Sequence, residues 1–243
     1  MKSLGFHKMS ASRQQISQND DQFQIERNIA REIMETVQRL QLPLKLDQIT
    51  EGRGNCFPIS IIQQCQRPEI LSYLRPKLRK IVRLRNGHSA LRQNVIEFIM
   101  KSKTLRVEQF KRQYEETDGA IEPYDSWNQY WQKMARDRAW VEYWFVQATA
   151  WYLQMDIFIV ATSCTEKDPY IQISGNLGDG SRPSDGPIIT VGSKSNSHYQ
   201  SLLPIEMLHL EFRDNNQVPS IEISHAQLSF IIFCHTRSTN CTN

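Results

Sequence analysis

The chain has 243 residues, 40% of them hydrophobic and 23% charged, with a formal net charge of +3. That length can bury a substantial core and reads as one domain with extensions, so a globally disordered chain is excluded. The mild net charge argues against a dedicated nucleic-acid binder.

Residues 1–20 are polar and aperiodic, and the N-terminus lacks the apolar core of a signal peptide, so a flexible tail is expected there. From Phe23 the pattern changes. Ile25, Ile29, Ile33, Val37 and Leu40 recur every three or four residues, with Asn19, Asp20 and Asp21 upstream as caps, which predicts a long amphipathic helix ended by Pro43. The loop Glu51-Gly52-Arg53-Gly54-Asn55 follows, then a helical stretch from Cys56 toward Gln66, broken by Pro68. Residues 69–84 and 88–101 read as further helices, separated by Asn86-Gly87. The basic run from Arg75 to Arg85 belongs to the first of them. Its apolar members Leu74, Leu78, Ile81 and Val82 predict an amphipathic helix with a solvated basic face, a polyanion-binding face being the alternative.

Tyr124, Trp127, Trp131 and Met134, and then Trp140, Trp144, Ala148, Trp151 and Tyr152, sit at helical spacing and read as core. The texture then switches. Residues 156–160, 170–173, 187–191 and 199–203 are short β-type runs separated by Gly, Pro, Asp and Ser clusters. Helices first and strands later predict an α+β fold with segregated layers. Residues 205–243 form an extension without an assigned role, with one plausible strand at 228–233. No run approaches the roughly 18–20 apolar residues of a membrane span, so a soluble chain with no membrane partner is expected.

The five cysteines, Cys56, Cys65, Cys164, Cys234 and Cys241, are odd in number and contain no C-x-x-C pair. This disfavours a disulfide framework or a zinc site and suits a reducing compartment. Cys56 has the setting a nucleophile needs. It follows a Gly-x-Gly-Asn turn and opens a helix with Pro58 in its first turn. The helix dipole there favours a thiolate, and loop N–H groups can face an oxyanion. A buried structural cysteine is the competing reading. Of the six histidines, His198 stands out, because Lys194-Ser-Asn-Ser-His198-Tyr199-Gln200 lies between two strand-like runs.

Gly54-Asn55-Cys56-Phe57 followed far downstream by Ser197-His198-Tyr199 resembles the motif pair of the OTU (ovarian tumour) family of cysteine proteases. The segment from Trp140 to Val160 is similar in order and character to the family's Trp-containing segment, Ala-rich helix and strand. The resemblance spans residues 23–204. It implies a papain-like OTU fold, a small twisted sheet packed between helical layers, in a catalytic domain over residues 21–204. It further implies a ubiquitin isopeptidase acting on ubiquitin or polyubiquitin chains without metal or cofactor, in the cytoplasm or, for a microbial effector, in a host-cell cytosol. Cys56 would be the nucleophile, His198 the general base, and the loop Arg53, Gly54 and Asn55 the oxyanion site. Two positions depart from the family pattern. Arg53 replaces its Asp, and Gln200 replaces the Asn or Asp that follows the histidine by two. Gln200 is placed ahead of Asn196 as the residue orienting the imidazole, since strand alternation puts residues 198 and 200 on one face. Its expected contact is through the amide oxygen. The departures leave open a catalytically inactive OTU-like module that binds ubiquitin, and a protease acting on a polyprotein or another ubiquitin-like modifier. The acidic segment Tyr114-Glu115-Glu116-Thr117-Asp118 is a candidate for contacting the arginines of ubiquitin's tail, with a solvated acidic loop as the alternative.

Overall fold

A computed structural model describes residues 6–52, 54–117, 126–178, 186–195 and 198–205, with side chains from residue 21 onward. The first helix, α1 (Phe6–Arg39), starts well upstream of the expected Phe23, and the would-be caps Asn19 to Asp21 lie inside it. Nothing between Phe6 and Asp20 is Pro or Gly, so no residue there interrupts helix propagation. Its end agrees with expectation: Gln41 turns into the left-handed region (φ 53°) and Pro43 follows. The chain then forms β1 (Leu44–Leu46), too short to leave a period-2 signal.

After the Gly-containing loop comes α2 (Cys56–Cys65), as expected. The single helix anticipated over 69–84 is instead two, α3 (Pro68–Leu71) and α4 (Pro76–Val82). Pro76 is the cause, because it lacks an N–H and forces Arg75 into an extended conformation with ψ 151°. The amphipathic reading of the basic run holds on this shorter element: Leu78, Ile81 and Val82 are buried, while its basic residues face outward. Next come α5 (Gly87–Lys101), α6 (Leu105–Thr117), α7 (Trp127–Met134) and α8 (Tyr143–Leu153). The aromatic residues do form core, except that Tyr124 lies outside the described residues. Phe110 packs its ring 4.6 Å from Trp144 and 4.8 Å from Trp151, and Tyr114, Trp127 and Trp131 continue the cluster. Trp140 departs from that pattern, lying ahead of α8 and 53% exposed. The acidic segment is the end of α6 up to Thr117, with Tyr114 buried and Glu115 and Glu116 exposed. Asp118, like the strand expected at 228–233, lies outside the described residues.

The remaining strands are β2 (Ile157–Ala161), β3 (Ile171–Ile173), β4 (Ile189–Lys194) and β5 (His198–Pro204). They form one mixed sheet ordered β1-β5-β4-β2-β3, with β2 and β4 parallel and the other neighbours antiparallel. Successive side chains point to opposite faces. Ile157, Ile159, Val191 and Tyr199 join the large core shared with α2, α5 and α8. Val160 and Leu202 face the other way, against Ile33 and Val37 of α1. The fold is therefore α+β, with a small sheet between helical layers. Among the described residues, no helix is long and apolar enough to cross a membrane.

α1 packs closely on the sheet at β4. A Cβ on Gly192 would lie 2.3 Å from Ile33 Cγ2, so only glycine fits beneath that isoleucine. We expect Gly192→Ala to destabilise the fold by about 1–3 kcal/mol through overpacking. Ile33→Ala alone should cost about 2–5 kcal/mol, and clearly less in the Gly192→Ala background, because the same methyl group causes the clash. Urea unfolding of the four proteins in the cycle measures the coupling. Strict additivity would refute this account of the contact.

Candidate functional site

Cys56 is the first residue of α2 and only 2% exposed. The turn that delivers it depends on Gly54, whose φ of 81° favours glycine and whose Cβ, if present, would lie 1.9 Å from the Arg138 carbonyl oxygen. Asn55 closes the turn with its side chain. Its Oδ1 accepts from the Arg138 N–H at 3.2 Å, and its Nδ2 donates to Asp137 Oδ1 at 2.8 Å. The Asn55 contact holds the Asp137 carboxyl below its ordinary pKa. Behind the turn stands Arg92 of α5, 2% exposed. Its guanidinium donates to the carbonyl oxygens of Gly54 (2.9 Å), Met134 (2.9 Å) and Ala139 (3.0 Å), and to Asn55 Oδ1 (3.2 Å). One side chain thus ties the loop before Cys56 to α5 and to the segment after α7. Sequence reasoning missed Arg92. A signal existed, since it lies among Leu91, Val95 and Ile99 on the buried stripe of its helix, where a cation calls for buried acceptors.

His198 opens β5, 4% exposed, in antiparallel register with Lys194. The backbone N–H of the next residue, Tyr199, hydrogen-bonds the Cys56 sulfur. This contact brings the two sequence motifs together: the helix start and the strand start meet at the thiol. The Tyr199 ring packs edge-on against Phe57, 5.0 Å between centroids, and holds the same junction from the core side.

Burial pushes the Cys56 thiol up to about 11. The Tyr199, Phe57 and Cys56 N–H groups and the Arg92 charge oppose that rise without cancelling it. Burial likewise lowers the pKa of His198, with Glu26 raising it and Lys194 lowering it further. Both shifts favour the uncharged forms, a thiol and a neutral imidazole.

Gln200 is completely buried and contacts the imidazole, its amide nitrogen 2.6 Å from His198 Nε2. The amide orientation is set by Thr50. Gln200 Oε1 accepts from the Thr50 N–H at 2.7 Å, and Gln200 Nε2 lies 3.3 Å from the Thr50 carbonyl oxygen. The oxygen expected to face the imidazole is therefore committed to the backbone, and the nitrogen faces it instead. As a donor, that nitrogen favours the tautomer with Nε2 unprotonated and the proton on Nδ1. Thr50 is tied in turn to α2 through Ser60 (3.2 Å) and Gln63 (3.1 Å). Arg53 and Asn196 lie outside the described residues.

Two pH responses follow. Alkylation of Cys56 by iodoacetamide in the folded protein should climb steadily from roughly pH 7 to pH 10 without a plateau, in keeping with a thiol pushed up to about 11. A plateau below neutrality, in a peptide-mapped rate profile, would reveal a resting thiolate. The folded-state pKa of His198 is depressed, so its neutral burial supports the fold above the ordinary imidazole pKa. That support is lost as pH falls toward the lower folded value. Urea midpoints measured downward from about pH 7 should fall less steeply in His198→Gln than in wild type.

No protein-family model matches the chain, and no curated protein matches it in sequence. Solved OTU structures resemble it. The OTU domain of OTUD1 is 16% identical over 70% of this chain and 91% of that chain, with a TM-score of 0.43. The viral OTU domain protease from Taggert virus is 15% identical over 70% of this chain and 85% of that one, at a TM-score of 0.42. An OTU deubiquitinase from Wolbachia pipientis wMel is 14% identical over 68% of this chain and 90% of its own, at a TM-score of 0.41.

Proposed function

We propose that this chain is a cysteine-dependent deubiquitinase of the OTU type, hydrolysing the isopeptide bond after the C-terminal glycine of ubiquitin, with Cys56 as nucleophile and His198 as general base. The observation that carries this reading is the Tyr199 N–H on the Cys56 sulfur, which puts the strand bearing His198 against the helix N-terminus bearing the thiol.

In the proposed reaction, the Cys56 proton passes to Nδ1 of His198, and the sulfur bonds to the glycine carbonyl carbon. The resulting oxyanion is met by backbone N–H groups of the loop before Cys56. Collapse of the tetrahedral intermediate breaks the C–N bond, and the lysine amine leaves with the proton from His198. Water then attacks the thioester, gives a proton to His198, and releases the ubiquitin carboxylate and the thiol. Nδ1 must be unprotonated to begin, so Nε2 must carry the ring proton and find an acceptor. Turning the Gln200 amide would present Oε1 to Nε2–H, at the expense of its bond to Thr50. Catalysis on this reading includes that rotation, and the arrangement described above is the resting state.

A second reading draws on the same site. A thiol pushed up to about 11, beside an imidazole that receives a hydrogen bond from Gln200, also suits a ubiquitin-binding module without turnover.

Ubiquitin carrying a C-terminal electrophile separates the two. Wild type should form a covalent adduct that is absent in Cys56→Ala and slowed about a hundredfold or more in His198→Ala. Binding without an adduct, from folded wild-type protein, would favour the module. An adduct formed only with a probe built on another ubiquitin-like modifier would change the substrate and keep the chemistry.

A further inference from the structure

A carboxylate from α1 reaches the same site. Glu26 is 4% exposed, and its Oε1 accepts from the Gly52 N–H at 2.7 Å and from Gln22 Nε2 at 3.0 Å. Gly52 lies between this carboxylate and the imidazole: a Cβ placed on it would be 3.2 Å from Glu26 Oε1 and 3.5 Å from His198 Cε1. Among the described residues, Glu26 forms no ion pair with a Lys or Arg. Its inward neighbours further along α1 are the apolar Ala30, Ile33 and Val37. Burying a carboxylate is costly unless its charge is compensated. The charge that the proposed chemistry would create nearby is the imidazolium of His198.

We infer that Glu26 is a positioning residue of this site: its carboxylate fixes the backbone at Gly52 and faces the imidazolium that His198 becomes when it takes the Cys56 proton. The inference rests on the proposed function. It assigns to α1 the acidic partner that Gln200 cannot supply, since the amide of Gln200 is neutral and turned to donate. The other groups around His198 oppose protonation or take part in it. Lys194 of β4 disfavours the imidazolium, although its ammonium is paired with Glu32 at 2.6 Å. Cys56 of α2 is the proton donor, and Arg92 of α5 acts on the cysteine. Among the described residues, Glu26 raises the proton affinity of the ring.

Glu26→Gln tests this on the full chain, because the amide oxygen can still accept from Gly52 while the charge is gone. Two quantities are read: the protonation midpoint of the His198 imidazole by NMR, assigned by loss of its signal in His198→Gln, and the rate of Cys56 adduct formation with the ubiquitin electrophile. The midpoint should fall by about half a unit or more, and the rate by about tenfold. Glu26→Ala removes the Gly52 bond as well and should react more slowly still. If wild type reacts and Glu26→Gln matches it in both midpoint and rate, the inference is overturned and the functional reading stands. If wild type forms no Cys56 adduct, the functional reading fails and the inference falls with it.

Discussion

A guanidinium withdrawn from water must find acceptors in the protein, and Arg92 finds them in three backbone carbonyls and one side-chain oxygen. Those acceptors belong to the loop before Cys56, the end of α7 and the segment leading to α8. The loop before Cys56 and the segment leading to α8 lie outside the helices and strands. Without the arginine their carbonyls would be buried with fewer partners, and the turn that starts α2 at Cys56 would lose its support. The ring of Phe145 beneath the guanidinium, 5.3 Å away, completes the setting from α8. The position of the thiol therefore depends on a residue far from it in sequence.

A second polar seam fixes the other half of the site. Gln64 of α2 donates to Ser201 Oγ (2.7 Å) and the Leu202 carbonyl oxygen (2.8 Å) of β5, while Ser201 donates to Asp47 (2.9 Å). With Gln200 on Thr50, these bonds set the register between α2, the 47–50 segment and β5. Buried polar contacts of this kind specify one arrangement, because a slip of one residue would leave each group unsatisfied. The same rigidity bears on chemistry. Gln200 cannot turn toward His198 without giving up its bond to Thr50, and the seam that places the imidazole also sets its resting tautomer.

Burial and reactivity pull in opposite directions at Cys56. The core that α2 enters, through Phe57 and Ile61, is what holds the helix in place. That core also removes water from the sulfur and disfavours the thiolate more than the helix N–H groups and Arg92 favour it. Under the proposed function, charge separation between sulfur and imidazole has to be supported by fixed groups around the pair. Arg92 stands on the sulfur side and Glu26 on the imidazole side.

Much of the fold was legible in the sequence. Ile29, Ile33 and Val37 mark the inward face of α1, and the alternation of Ile157 and Ile159 with Phe158 and Val160 divides β2 between two cores. Gly54 before Cys56 announces a turn into a helix, and strand alternation places Gln200 on the face of His198. These features are local: periodicity, turn chemistry and capping depend on neighbours within a few residues. The tertiary structure decided the rest. Which face of Gln200's amide meets the imidazole was set by Thr50, which carbonyls Arg92 binds was set by the packing of α5 against the 134–139 segment, and Glu26 reached Gly52 through the docking of α1, which also sets Ile33 against Gly192. A hydrogen bond between distant segments leaves no periodic trace in either one, so such pairings become visible only once the layers are in contact.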